Sequence, residues 1–451
     1  MRRPFLLVLA LTATTACGGG GSSTNAPAAP SVGATPPATN APTSAPSPTS
    51  NAATKIQHVV IIVQENRSPD NLFHGLPGAD IANSGVASDG TTVALQPIPL
   101  ANSYDIDHSH TAFVTAYDGG KNDRSDQERV SCGTACPYAH PEFGYVPASD
   151  NAPYMQMAQQ YTFADRMFQT NEGPSYPAHQ YLISGTSEPA DGSNLLVSEN
   201  TSQAGCTAPA DARVSVIDLA GSEAQSVYPC FEHRTLMDLL DAKGLSWRYY
   251  TPNIGIWAAP NSIAHIRNGP GWNNVIFDNT QVLSDARNGT LPNVSWVIPT
   301  AAASDHARGN DGSGPSWVAS IVNAIGSSPA WKSTAIFVVW DDWGGWYDHV
   351  VPRVYGPYEL GFRVPLLVVS PYAKRGYVSH ATHEFGSILR FTERAFGLDS
   401  IGTTDVRSDD LSDCFDFTNG SGKAFVPFAT RFDARYFAAR SASTALPDDD
   451  Y

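Results

Sequence analysis

Four largely apolar runs, residues 58–63, 294–298, 335–340 and 364–370, limit the folds open to this chain. Each has the length of a strand, is rich in Val and Ile, and lacks the polar alternation of a half-exposed sheet, so each needs cover on both faces. Helical patterns lie among them at residues 231–243, stopping at Gly244, and at residues 387–396. The economical arrangement is an α/β fold with a central, mostly parallel sheet flanked by helices. Residues 75–165 and 187–228 are rich in Gly, Asn, Ser and Asp with little periodicity, and are expected as long loop insertions forming a cap around a site. No internal repeat is present.

Two of the runs end alike. The first leads through Gln64 into Glu65-Asn66, and the third into Asp341-Asp342. If those strands are neighbours, three carboxylates and an amide oxygen converge, and burying that much uncompensated charge would cost many kcal/mol. A bound divalent cation resolves the conflict, with Glu65, Asn66, Asp341 and Asp342 as its ligands. An oxygen-rich set favours Ca²⁺, Mg²⁺ or Mn²⁺ over zinc.

Ser175, in Asn171-Glu-Gly-Pro-Ser175-Tyr-Pro-Ala-His179, precedes a short helical stretch, with Pro177 near its first turn. The N–H groups and dipole of a helix N-terminus favour an anion such as phosphate, and a hydroxyl there becomes a nucleophile when a metal lowers its pKa. Taken alone, Ser175 reads as a simple helix cap; beside the acidic strand ends it reads as catalytic. His108, in Asp105-Ile-Asp107-His108-Ser109-His110, and His306, in Ser304-Asp-His306 after the second run, are placed to move a proton or to hold a phosphoryl oxygen. Asp348-His349 follows Trp343-Gly-Gly-Trp-Tyr347 and is read as lying behind the ligands rather than among them.

The N-terminal residues have the pattern of an export leader over 1–17: Arg2-Arg3, then an apolar stretch too short to span a bilayer, then small residues up to Cys17. Ala16-Cys17-Gly18 points to lipidation of Cys17 and attachment to a membrane, and Arg2-Arg3 to a twin-arginine route. The localisation expected is periplasmic, cell-surface or secreted. Residues 18–54 carry no charge and are dominated by Gly, Ser, Thr, Ala and Pro, so they read as a solvated tether. A catalytic domain over 55–440 and a tail over 441–451 complete the division. The net charge of −16 argues against non-specific nucleic-acid binding. Cys132 with Cys136, and Cys206 with Cys230, are expected as disulfides, leaving Cys414 a free thiol; zinc at Cys132 and Cys136 is the rival reading.

The ordered motifs Ile61-Ile-Val-Gln-Glu65-Asn66-Arg67-Ser68, Gly173-Pro-Ser175-Tyr-Pro177, Ser304-Asp-His306 and Trp340-Asp-Asp342-Trp-Gly-Gly-Trp-Tyr-Asp-His349 occur together with Val364-Pro-Leu-Leu-Val-Val-Ser-Pro371. The chain thereby resembles, over about residues 57–398, the bacterial phosphoesterase family of phosphatidylcholine-type phospholipases C and secreted acid phosphatases, in the alkaline phosphatase superfamily. The resemblance implies Glu65, Asn66, Asp341 and Asp342 as metal ligands, Ser175 as nucleophile through a phosphoserine, and His108 and His306 as active-site histidines. Phospholipase-type members resemble this chain but usually carry Thr at the Ser175 position, a Pro-Asn-Arg run at 177–179, Asp-Glu at 341–342, and in larger members a β-rich extension beyond Leu398. A His common near Phe385 is also absent. The departures lean toward an acid phosphatase acting on phosphomonoesters, with phospholipase C as the alternative. A sulfatase, approached by the 175–179 pattern but with His179 in place of Arg, and a non-catalytic binding lipoprotein are the weaker readings.

Overall fold

The computed structural model describes residues 55–133, 135–419 and 424–440, all within one compact unit spanning Ser47–Tyr451. The leader, the tether, Cys17 and the tail lie outside the described residues. In chain order the central elements are β1 (His58–Gln64), β2 (Thr162–Ala164), α1 (Ser175–Ser184), β3 (Trp247–Tyr250), β4 (Val275–Ile276) and β5 (Val294–Val297). They continue with α2 (Gly314–Gly326), β6 (Thr334–Trp340), β7 (Leu366–Val369), β8 (Tyr377–Ser379) and α3 (Phe385–Phe396).

The eight strands form one sheet in the order β4-β3-β5-β1-β6-β7-β2-β8. Neighbouring strands run parallel from β4 across to β6; β7 is antiparallel to both its neighbours, and β8 is parallel to β2. The mostly parallel sheet expected from the apolar runs is therefore present, and β1 and β6 are buried along almost their whole length. Helix α3 starts two residues earlier than the pattern of residues 387–396 implied. The helix expected over 231–243 is shorter, Leu236–Ala242, because Thr235 and Asp238 close a reciprocal capping box that fixes its start.

The insertions carry more regular structure than their composition announced. Residues 75–165 contain a helix, Ala152–Gln160, and the buried sheet strand β2. Residues 187–228 hold a three-stranded antiparallel sheet of Leu195–Val197, Val214–Asp218 and Gln225–Val227. The expectation of loops failed here because strands of three to five residues leave almost no periodic signal. Both disulfides are formed, Cys132–Cys136 and Cys206–Cys230, and Cys414 is free and buried. Zinc at Cys132 and Cys136 is thereby set aside. No helix among the described residues is long and apolar enough to cross a membrane.

Asp348-His349 belongs to an ion network beside the sheet. Arg363, fully buried, donates to both carboxylate oxygens of Asp348 at 2.8 and 2.9 Å and to Asp70 at 3.3 Å. His349 sits 2.8 Å from Asp70 and 3.1 Å from Asp80. The guanidinium already compensates these acids, so the group calls for no metal. Burial alone would depress the His349 pKa, but its hydrogen bond to Asp70 and the charges of Asp70 and Asp348 carry it up to about 9. With the folded pKa above the unfolded one of about 6.5, this stabilisation is complete below pH ~6.5 and is lost as pH rises through ~9. At this half-exposed position screening limits it to about 1–2 kcal/mol. His349→Gln should lower Tm at pH 6, and the gap to the parent should close by about pH 10; a gap independent of pH would contradict the assignment.

Candidate active site

The site begins with register. Parallel pairing sets Gln64 opposite Trp340, so the residues that follow, Glu65-Asn66 and Asp341-Asp342, leave the sheet side by side. The pairing runs on past the strands: Asp341 N donates to Gln64 O and Arg67 N to Asp342 O, both at 3.0 Å. Asn66 then takes a left-handed backbone conformation with φ of 61°, which Asn tolerates better than most residues. Gly344 must lack a side chain here, because a Cβ would lie 2.4 Å from the Asn66 carbonyl oxygen.

These turns aim the acids. Asp341 Oδ1 accepts from the backbone N–H of Asn66 (3.1 Å) and of Asp342 (2.9 Å), while Asp342 Oδ1 accepts from Gly344 N at 2.8 Å. Asp342 Oδ2 is thereby turned to the Ser175 hydroxyl, which donates to it at 3.1 Å, and to Asn66 Nδ2 at 3.2 Å. Asn66 Nδ2 also stands 3.5 Å from Ser175 Oγ. Glu65, Asn66, Ser175, Asp341 and Asp342 are all fully buried.

Ser175 is the first residue of α1, whose cap is Pro174, and its hydroxyl makes no capping bond. The simple-cap reading of this serine therefore fails. Gln169 holds the turn in front of it: Nε2 donates to the carbonyls of Asn171 (2.8 Å) and Gly173 (3.0 Å), and Oε1 accepts from Trp343 N at 2.9 Å. One buried amide thus ties the serine turn to the acidic strand end.

The two histidines share a design. His108 Nδ1 donates to the Ile106 carbonyl at 2.8 Å, which leaves Nε2 as the acceptor of Asn66 Nδ2 at 2.8 Å. His306 Nδ1 donates to the Ala307 carbonyl at 2.7 Å, and its buried Nε2 makes no hydrogen bond among the described residues. Their ring centroids are 5.8 Å apart. Fixing Nδ1 to a backbone carbonyl sets the tautomer and presents Nε2 for proton transfer. Buried Arg67 fastens the His306 loop to the end of β1, donating from Nε to the Asp305 carbonyl at 2.8 Å, with its guanidinium 4.8 Å from the Trp346 ring. Asp305 accepts from Tyr154 (2.9 Å) and Trp340 (3.0 Å); burial pushes its carboxyl up to about 6, against the opposing charge of Arg67.

All seven residues singled out in the sequence meet in this region. His179, Gln169 and Arg67 were not among them. His179 Nε2 lies 3.2 Å from Glu65 Oε1 and 3.6 Å from Asp341 Oδ2. Burial holds its imidazole down to about 4 although the charge of Asp341 pulls the other way, so the ring is neutral near pH 7. A signal for it existed, since positions four apart on a helix share a face and His179 follows Ser175 by four. A cation fits these residues: Asn66 Oδ1 and Asp341 Oδ2 are buried oxygens that accept no hydrogen bond among the described residues, and a divalent ion needs such donors.

Residues 56–399 match the model of the Phosphoesterase family. The hemolytic phospholipase C of Pseudomonas aeruginosa is 26% identical over 83% of this chain, which spans only 58% of that relative's length. Phospholipase C B of Mycobacterium tuberculosis is 25% identical, over 81% of this chain and 78% of its own. Among solved structures, a protein in the alkaline phosphatase superfamily from Vibrio parahaemolyticus aligns at a TM-score of 0.38 and 10% identity, over 79% of this chain and 70% of that one. With a match that takes in both acidic strand ends, Ser175 and both histidines, the chain belongs to the Phosphoesterase family.

Proposed function

We propose that this chain is a metal-dependent phosphoric ester hydrolase, an acid phosphatase that cleaves phosphomonoesters through a phosphoserine at Ser175. The observation that carries the reading is a buried serine hydroxyl at the start of a helix, donating to Asp342 3.1 Å away and beside Asn66, in a family of phosphoesterases. Asp342 takes the serine proton as Oγ bonds to phosphorus and the ester oxygen departs. His108 and His306 enter this step protonated at Nε2 in the substrate complex, one giving its proton to the leaving alcohol and the other donating to a phosphoryl oxygen. Water then attacks the phosphorus and gives a proton to the histidine that lost one, Oγ leaves and recovers its proton from Asp342, and inorganic phosphate is released. Glu65, Asn66, Asp341 and Asp342 would hold a divalent cation, which when bound favours the serine alkoxide and neutralises the phosphoryl oxygens. The two disulfides accord with a place outside the cytoplasm, as the leader suggests.

The relatives named as phospholipases C favour a second reading, cleavage of a phospholipid headgroup by the same chemistry. Comparison of kcat/KM for p-nitrophenyl phosphate and for phosphatidylcholine vesicles separates the two. The first reading expects the monoester to be preferred by about a hundredfold or more. Preference for the lipid would replace it with the second.

A further inference from the structure

Metal-type donors also meet at the edge of the sheet, away from the catalytic centre. The edge strand β8 lies three places from β6, about 14 Å at the usual strand spacing of ~4.8 Å. Beyond Ser379, the last residue of β8, His383 pairs with Met167 and its N–H donates to Arg166 O at 2.9 Å. Cys414 is fixed separately: its carbonyl accepts from Lys374 N at 2.9 Å and from Thr162 Oγ1 at 3.2 Å. Asp413 Oδ1 then lies 3.7 Å from His383 Nε2 and 3.6 Å from Cys414 Sγ, and one donor atom from each of the three residues falls within 4.8 Å of the others. The remaining atoms are held from outside. Ser379 Oγ donates to Asp413 Oδ2 and stands 3.1 Å from His383 Nε2, while His383 Nδ1 donates to Asp409 at 2.8 Å. Asp409 is itself fixed by Ser387 Oγ at 2.6 Å. His383 and Cys414 are buried, whereas the Asp413 side chain is 31% exposed and opens a way in from solvent.

We propose that His383, Asp413 and Cys414 bind a thiolate-seeking divalent cation of the Zn²⁺ class, with water from the exposed side of Asp413 as its fourth ligand. The position shares no residue with the catalytic site. In a tetrahedral zinc site the bond lengths to sulfur, nitrogen and oxygen put the donors about 3.3–3.6 Å apart, close to the separations found here. A carboxylate on the far nitrogen of a ligating histidine fixes the ring and raises its basicity, which is the part Asp409 plays. A thiolate and an imidazole select zinc or cobalt over the Mg²⁺, Ca²⁺ or Mn²⁺ that oxygen donors favour. Binding uses the lone pairs of Nε2 and Sγ and releases the thiol proton to solvent. The ion clips the segment that carries Asp413 and Cys414 to the turn after the edge strand β8.

The test uses the intact protein, stripped of metal by a chelator and titrated with Co²⁺, whose thiolate complexes show an intense charge-transfer band in the near ultraviolet. Cys414 is the only free thiol among the described residues. The band should appear, and excess Zn²⁺ should abolish it by displacing the cobalt. Cys414→Ser should lose the band and keep its Mn²⁺-supported turnover of p-nitrophenyl phosphate. Asp409→Asn, which leaves all three donors in place, should weaken Co²⁺ binding by about tenfold or more. The spectrum of the unaltered protein decides the matter even if Cys414→Ser folds poorly. No charge-transfer band in the unaltered protein, or a band that survives Cys414→Ser, overturns the position and leaves the proposed phosphatase standing.

Discussion

Ser175→Ala is expected to lower kcat for p-nitrophenyl phosphate by about three orders of magnitude or more while the protein folds as before. The expected separation of activity from stability comes from the helix start. Ser175 does not cap α1, whose cap residue is Pro174, and Tyr176 N is satisfied by Asn200 Oδ1 at 2.8 Å. Alanine therefore removes the hydrogen bond to Asp342 and the longer one from Asn66 Nδ2, and leaves the backbone partners in place. An unchanged circular dichroism spectrum and Tm within a few degrees, with turnover gone, would match the account. A modest loss of activity, or a collapse of the fold, would show that the hydroxyl serves structure.

The second large effect concerns the acids. Added Mn²⁺ at about a hundred times its dissociation constant should stabilise the metal-stripped protein by about 2.7 kcal/mol, read as a rise in Tm, and chelation should reverse it. Asp341→Asn should remove most of that rise. The amide oxygen of Asn can still accept from the Asn66 and Asp342 N–H groups that Asp341 Oδ1 now holds, so the local turn survives. With one buried carboxylate fewer, the metal-free variant should be at least as stable as the metal-free parent. A variant that keeps the full metal-induced rise would place the cation elsewhere.

The sheet was legible because its strands are continuous Val- and Ile-rich runs, and the acids stood out because each pair terminates such a run. Strand order was not legible, since no local feature of residues 58–64 names residues 334–340 as a partner; the sheet alone brings Glu65 against Asp341. Ser175 was readable from the proline and glycine around it. His179 appeared in the sequence only as a departure from patterns that carry Arg, and its partners come from two distant strand ends. Gln169 and Arg67 escaped notice for a related reason: Gln169 bonds only to backbone groups and Arg67 divides its bonds between backbone carbonyls and two asparagine side chains, and backbone partners leave no trace in side-chain identity. Strand β2, three residues inside a polar segment, is too short for periodicity to reveal.

The central claim is a covalent phosphoserine. Mixing the metal-loaded protein with excess p-nitrophenyl phosphate, quenching in acid within the first turnovers and mapping the peptides by mass spectrometry tests it directly. The account predicts one phosphoryl group on Ser175, formed with the burst of p-nitrophenol and absent from Ser175→Ala. Full turnover with Ser175 unmodified, or the phosphoryl group on another residue, would contradict it.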